Sequence, residues 1–173
     1  MPTPPSPPPE SRWGLPFLLA QVGAHTATEF ARRVAALGLT PSDAGILRLL
    51  ARSAGMSQRQ LAQTLHMHAS RLVALIDDLE SRNLVVRGEN ANDRRTHVLR
   101  ITEKGQKALS EIGRAARAHS EHLCAALNEA EQSQLYNLLQ RLADAQGLTR
   151  GVHPGYSTLR PKKPTKRPTK IAE

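Results

Sequence analysis

The chain has 173 residues, enough for one domain of ordinary size with flanking segments. Its net charge of +9 is uneven: seven Lys or Arg and one Glu between Arg150 and Glu173 give that stretch +6, leaving +3 for the rest. A basic balance suits a polyanion partner. The single cysteine, Cys124, excludes an intrachain disulfide, and no apolar run approaches the roughly 20 residues of a membrane span. The opening MPTPPSPPPE has neither the basic head nor the apolar centre of a signal peptide, so a cytoplasmic protein is expected.

Residues 1–12 are proline-rich and are expected to be disordered or extended. Leu15, Leu18, Val22, Phe30, Val34 and Leu37 follow a three-or-four spacing, which predicts a long amphipathic helix over 14–37, ended by Gly38. Thr40 caps a second helix with Pro41 at its first position and Asp43 in its first turn; Ile46, Leu47, Leu49 and Leu50 are its buried face, and it stops near Ser53. Ser57 and Gln60 form a capping box that starts a third helix over 57–64, buried through Leu61 and Leu65. A fourth helix covers 68–82 with Leu72, Leu75, Ile76 and Leu79 inward, and Asn83 ends it in the left-handed conformation.

Two short strands follow, 84–87 and 97–101, in which Leu84, Val85 and Val86 pair with Val98, Leu99 and Ile101. The polar loop between them contains Gly88, Asn90, Asn92 and Asp93, with Asp93, Arg94 and Arg95 near its tip. Thr102 caps a fifth helix to about Ala126, with Leu109, Ile112, Ala116 and Leu123 on one side. Asn128 and Glu131 start a sixth helix to about Gln146, predicted to be buried through Leu135, Leu138, Leu139 and Leu142. From Gly147 to the end, proline and charge alternate with little to bury, so 147–173 is expected to be a disordered basic tail acting as an electrostatic arm.

Two short helices, a tight turn and a strand pair in this order make a winged helix-turn-helix. The fold class expected is mainly α, with a two-stranded β-wing and long helices on either side. The fourth helix is shaped for a DNA major groove. Its outward residues His68, Ala69, Ser70, Arg71, Val73 and Ala74 are the candidate base readers. Arg71 suits guanine O6 and N7, Ser70 a base edge or phosphate, and Ala69 and Ala74 a thymine methyl. Ser57, Gln58 and Arg59 at the start of the third helix are further candidate DNA contacts. In the wing, the Asp93 carboxylate can orient an arginine by a charge-assisted hydrogen bond, and an oriented Arg94 or Arg95 fits a narrow minor groove. The bland reading of each feature alone is a solvated face; their succession outweighs it.

Over about 14–146 the chain resembles the MarR family of bacterial transcriptional regulators. The matching pieces are LTPSDAGILRLLA, SQRQLAQTL, SRLVALIDDLESRNLV and NDRRTHVLRITEKG. The last is the most specific, with D-R-R, an alternating strand and then I-T-x-x-G. The resemblance implies one domain over 13–146, with a DNA-binding lobe at 40–102 and dimerisation helices at 14–37 and 103–146. It implies a homodimer on double-stranded DNA with an inverted repeat, acting as a repressor released by a small aromatic or anionic effector. Ser70 and Arg71 sit where the family reads DNA, and Asp93 and Arg95 match its wing. His66 stands where the turn usually has glycine, His68 where the cap is usually Asp or Asn, and Ala69 where arginine is frequent. Phe17, His25 and Arg48 are the effector-pocket candidates on the corresponding helices.

The pairs His66/His68 and His119/His122 lack the further ligands of a metal site and read as surface or DNA-facing groups. Cys124 reads as a small packing residue. No cofactor, metal or membrane is expected. The chain has no glycine-rich phosphate loop or nucleophile elbow, so an enzyme is not expected. The alternative function is an effector-independent activator or a weakly specific architectural DNA-binding protein.

Overall fold

The computed structural model describes residues 14–153 and 155 except 54, 91 and 92, with backbone only at 89, 90 and 93–97. The proline-rich start and residues 156–173 of the tail lie outside the described residues. Along the chain run α1 (Leu15–Ala35), α2 (Pro41–Ala51), β1 (Met56–Ser57), α3 (Gln58–Thr64), α4 (Ala69–Ser81), β2 (Val85–Asn90), β3 (Asp93–Ile101), α5 (Glu103–Leu123) and α6 (Glu129–Ala145).

Local capping chemistry sets most helix starts. Thr40, Ser57 and Asn128 each accept from the backbone N–H three residues on, while Asp43, Gln60 and Glu131 reach back to the cap residue's N–H. The helix ends are equally local. His66 and Asn83 take positive φ, 50° and 57°. Behind them Met67 N–H donates to the Ala62 carbonyl and Leu84 N–H to the Leu79 carbonyl, which closes a Schellman motif on α3 and on α4. Gly147, at φ 67°, ends α6 in the same way through Leu148 and Ala143.

The sheet has three antiparallel strands in the order β1-β3-β2. The predicted two-stranded wing thus gains β1, whose Met56 and Ser57 pair with Leu99 and Val98. Two residues are too few to show alternation, and Ser57 doubles as the α3 cap. Both wing strands are longer than predicted: pairing runs from Val85↔Ile101 out to Glu89↔His97, with an irregularity between Glu89 and Asn90. The backbone of Asp93, Arg94 and Arg95 accordingly belongs to β3 rather than to a loop tip.

One core joins α2, α3, α4 and the sheet to α5. Ile46, Leu47, Leu50, Leu61, Leu72, Ile76, Leu79 and Leu99 are all essentially inaccessible, with Val34 of α1 and Ile112 of α5 sealing one side. The inner stripe predicted for α4 is buried in full. The predicted stripe of α6 is not: that helix buries no residue within its own chain, and Leu135, Leu138, Leu139 and Leu142 are exposed. Leu15, Leu18 and Val22 on α1 are exposed as well. α5 ends at Leu123, earlier than predicted, because residues 124–127 turn the chain toward the Asn128 cap.

The segment after Gly147 differs from expectation. Residues 148–153, expected to belong to a disordered tail with little to bury, form a turn held to the DNA-binding lobe. Thr149 Oγ1 hydrogen-bonds His66 Nε2 at 2.9 Å, the Gly151 carbonyl accepts from the Arg48 guanidinium, and Val152 packs against the core. The spacing of Leu148 and Val152 among polar residues gives no amphipathic signal, which hides this contact from periodicity.

Candidate nucleic-acid interface

The inner stripe of α4 fixes the helix about its axis, so its other face is turned outward by geometry. His68, Ala69, Ser70, Val73 and Ala74 are exposed and Arg71 is half-buried. His68 is the N-cap but makes no side-chain capping hydrogen bond; its carbonyl accepts from the Arg71 and Leu72 N–H groups, both at 3.1 Å. Alongside, α3 and α4 enclose an open groove of about 900 Å³ lined by Gln58, Arg59, Gln63, His68, Ala69 and Val73, among others. The fold therefore brings five of the predicted contact residues into one groove. Gln63 joins them; sequence reading passed over it because an exposed Gln on a short helix carries no signal. Ser57 is positioned differently, its hydroxyl committed to the Gln60 N–H.

The turn between α3 and α4 places His66 in the left-handed region, which a non-glycine residue tolerates at some cost. The 2.9 Å contact with Thr149 gives its ring a partner there.

A second set of contacts locks the wing to α4. Arg87 of β2 donates to Asp77 at 2.5 Å and also pairs with Glu80, and its own N–H donates to Glu80 at 3.2 Å. The hydrogen bond it donates to Asp77, with the two carboxylate charges, holds the guanidinium above its ordinary pKa. Asp77 and Glu80 would otherwise set negative charge beside a DNA-facing helix. Sequence reading missed Arg87 because a lone strand arginine is ordinarily a solvated one. The side chains of Asp93, Arg94 and Arg95 lie outside the described residues.

The I-T-x-x-G signature has a steric reason. Thr102 Oγ1 accepts from the Gly105 N–H at 3.0 Å and donates to the Asn83 carbonyl at 2.8 Å, while Thr102 N–H donates to the Leu84 carbonyl at 3.1 Å. A Cβ on Gly105 would fall 2.1 Å from the Leu84 carbonyl oxygen and 2.7 Å from Ile101 Cγ1. Lys104 Nζ adds a hydrogen bond to the Arg82 carbonyl at 2.9 Å. The start of α5 is thereby seated on the end of α4 and the root of the wing.

The predicted effector residues are scattered. Phe17 and His25 are exposed on α1, eight residues or about 12 Å apart along the axis. Arg48 of α2 is engaged by the Gly151 carbonyl. The more unusual group is His119, read from sequence as a surface histidine and found buried between α5 and α1. Its ring lies 6.0 Å from that of Phe30, and among the described residues neither ring nitrogen has a hydrogen-bond partner. Burial, and next the charge of Arg33, push its pKa below the ordinary 6.5. The position on the apolar side of α5, seven residues after Ile112, was the available sequence clue. Among the described residues no group of three or more His, Cys, Asp or Glu could hold a metal ion, and no helix is long and apolar enough to cross a membrane.

A rigid winged helix-turn-helix with an outward recognition helix and a wing pinned to it defines a DNA-binding module. Comparison with known proteins gives the same class and narrows it. The MarR family profile matches residues 37–96. A Thauera aromatica protein assigned to transcriptional regulation of the hcr operon is 35% identical over 115 residues, covering 66% of this chain and 69% of that protein. The transcriptional repressor MdtR of Bacillus subtilis is 27% identical over 108 residues, 62% of this chain and 70% of MdtR. The solved repressor CouR, bound to a 23-mer DNA duplex, superimposes with a TM-score of 0.68 at 30% identity over 80% of this chain and 99% of CouR. The chain belongs to the MarR family of winged-helix, DNA-binding transcriptional regulators, which are not enzymes.

Proposed function

We propose that the protein is a homodimeric repressor that binds an inverted repeat and leaves it when a small aromatic or anionic molecule binds. The observation that carries this reading is the pairing of an outward α4 face with uncovered apolar stripes on α1 and α6. The first supplies a major-groove reader. The second supplies surface that a second copy would cover, and two copies present two recognition helices to successive major grooves. MdtR and CouR are named as repressors, which supports the sign of regulation. Arg71, with Ser70, Val73 and Ala74, reads bases; Gln58, Arg59, His68 and Ala69 approach the backbone or base edges from the shared groove; Arg95 and Arg94 reach the minor groove from the wing, oriented by Asp93. For the effector, His25 together with Phe30, Arg33 and His119 is a more coherent candidate than Phe17 and Arg48. Among the described residues, Arg33 Nε and both ring nitrogens of His119 are buried without hydrogen-bond partners, and the His119 ring lies beside that of Phe30.

Binding selection on randomised duplexes tests the reading. The expected result is a palindrome with half-sites about one helical turn apart. Arg71→Ala should cost about 1–3 kcal/mol and relax preference at one position per half-site. Arg95→Ala should weaken binding most where the flanks are A·T-rich. Uniform coating of DNA without a preferred sequence would establish the architectural alternative instead, and a monomer at micromolar concentration in the ultracentrifuge would remove the dimer.

A further inference from the structure

α6 buries no residue within its own chain, so packing along its length does not fix its direction. Its ends hold it. At the first, Gln132 Nε2 donates to the Cys124 and Leu127 carbonyls, at 3.3 and 2.9 Å. At the last, about 25 Å further on, the chain crosses to the DNA-binding lobe. Two glycines at positive φ shape the crossing, Gly147 at 67° and Gly151 at 73°. The first lets Leu148 N–H close on the Ala143 carbonyl, and the second turns its own carbonyl onto the Arg48 guanidinium. Val152 N–H closes the turn on the Thr149 carbonyl at 3.1 Å, and Arg150 is tied back to Asp144 by a 2.6 Å ion pair. The landing site is the turn of the helix-turn-helix itself. Thr149 Oγ1 meets His66 Nε2 at 2.9 Å, and Leu148 and Val152 line one seam with Leu65. Leu65 is buried at the end of α3, and two residues past His66 stands His68, the N-cap of α4. The crossing thus holds the residues that set how α4 leaves α3, and it closes a ring from lobe to α5, α5 to α6, and α6 back to lobe.

We propose that residues 147–153 are a strap that sets the direction of α6 against the helix-turn-helix, with Thr149 and Val152 as positioning residues that fix how far apart two recognition helices stand on DNA. The proposal rests on the homodimer reading above, in which α6 belongs to the face that a second copy covers. A helix fastened at one end can swing, and each orientation of α6 would present the two α4 helices at a different separation. Fastened at both ends, α6 carries one orientation to the partner copy, and the pair is preorganised for one half-site spacing. A second half-site then adds affinity through effective concentration, which is greatest where the span of the protein matches the span of the sites. Neither residue touches DNA in this role: Thr149 acts through His66, and Val152 through the core.

The test uses the palindrome recovered by binding selection, the same duplex with one arm scrambled, and a series with one or two base pairs inserted or removed at the centre. Four full-length proteins are compared: wild type, Thr149→Val, Thr149→Ser, and Thr149→Val combined with Val152→Ala. Thr149 is exposed, so its replacement alone leaves the core intact. Wild type should gain roughly 100- to 10,000-fold from the second half-site, at one preferred spacing. In the double variant that gain should fall by about 10-fold, the worth of one or two neutral contacts, and the spacing profile should broaden. Thr149→Val should move the same way by less. Affinity for the scrambled-arm duplex should stay as in wild type throughout, and Thr149→Ser, which keeps the hydroxyl, should restore the sharp profile. An unchanged gain and profile in the double variant overturn the strap. Equal losses on the intact and scrambled-arm duplexes overturn it too, because the segment would then act only within one lobe. A wild type that gains nothing from the second half-site refutes the dimer reading and the proposal with it, a failure visible before any variant is compared.

Discussion

The DNA-binding lobe and the outer helices are built from the same kind of sequence and have opposite surroundings. In the lobe, every apolar stripe is covered: Ile46, Leu47 and Leu50 of α2, Leu61 of α3, and Leu72, Ile76 and Leu79 of α4 meet one another and Leu99. In α6, leucines at the same helical spacing face outward, and the N-terminal half of α1 is alike. Helical periodicity shows that a face is apolar. It does not show whether the chain itself or another molecule covers it.

The sharpest way to break this contrast is truncation on both sides. Leu72→Ala or Ile76→Ala should cost about 2–5 kcal/mol by urea denaturation, whatever the protein concentration. Leu138→Ala on α6 should cost little at low protein concentration and more at high, because its partner is then another molecule. Equal, concentration-independent costs would mean that the two regions are not distinct. Next in size is Gly105→Ala. Its Cβ meets a backbone carbonyl that cannot rotate away, so the α4–α5 seat must shift, at about 1–3 kcal/mol. Thermal denaturation of Gly105→Ala beside Gly113→Ala, where the new Cβ has room, isolates the clash.

Two smaller effects sharpen the contrast through pH. His119 sits where α1 meets α5, and its folded pKa is depressed by burial. Its contribution is therefore present above 6.5, where the ring is neutral in both states, and is lost as pH falls through the folded value. Wild type should lose stability on acidification, and His119→Phe should lose less. Parallel curves would mean that His119 does not titrate with unfolding. Asp43 in the lobe has the opposite sign. Burial raises its pKa above 3.8, outweighing the hydrogen bonds from Thr40 and the charge of Arg82. Its contribution is greatest below 3.8 and declines as pH rises through the folded value. Asp43→Asn can still accept from the Thr40 N–H, so it should match wild type in acid and become slightly more stable toward neutral pH. A variant that lost stability at neutral pH would show that the Arg82 pairing at 3.8 Å outweighs burial.

Much of the lobe is legible in sequence because its signals are local. Capping boxes at Thr40 and Ser57, the left-handed Asn83 and the α4 stripe each involve residues within a few positions. What escapes is non-local. Two-residue β1 exists only because β3 passes beside it. Arg87 gains its role from two carboxylates 7 and 10 residues away. The fastening of Thr149 to His66 spans 83 residues of chain. The burial of His119 depends on Phe30 of another helix. In the site, the outward face of α4 follows from its inner stripe, whereas the groove shared with Gln58, Arg59 and Gln63 requires the angle between two helices.

The seat at Thr102 has a metric consequence. One hydroxyl joins the end of α4 to the start of α5, Lys104 repeats the join, and Arg87 ties the wing to the same helix. Recognition helix, wing and α5 then turn as one lever, with α5, at 21 residues, as an arm of about 30 Å. In the homodimer proposed above, a tilt of a few degrees between two such arms would move the recognition helices by ångströms at the tips. The preferred number of base pairs between half-sites would then be a ruler for the angle between the two copies. An operator series with one base pair inserted or removed at the centre would measure that angle without a crystal.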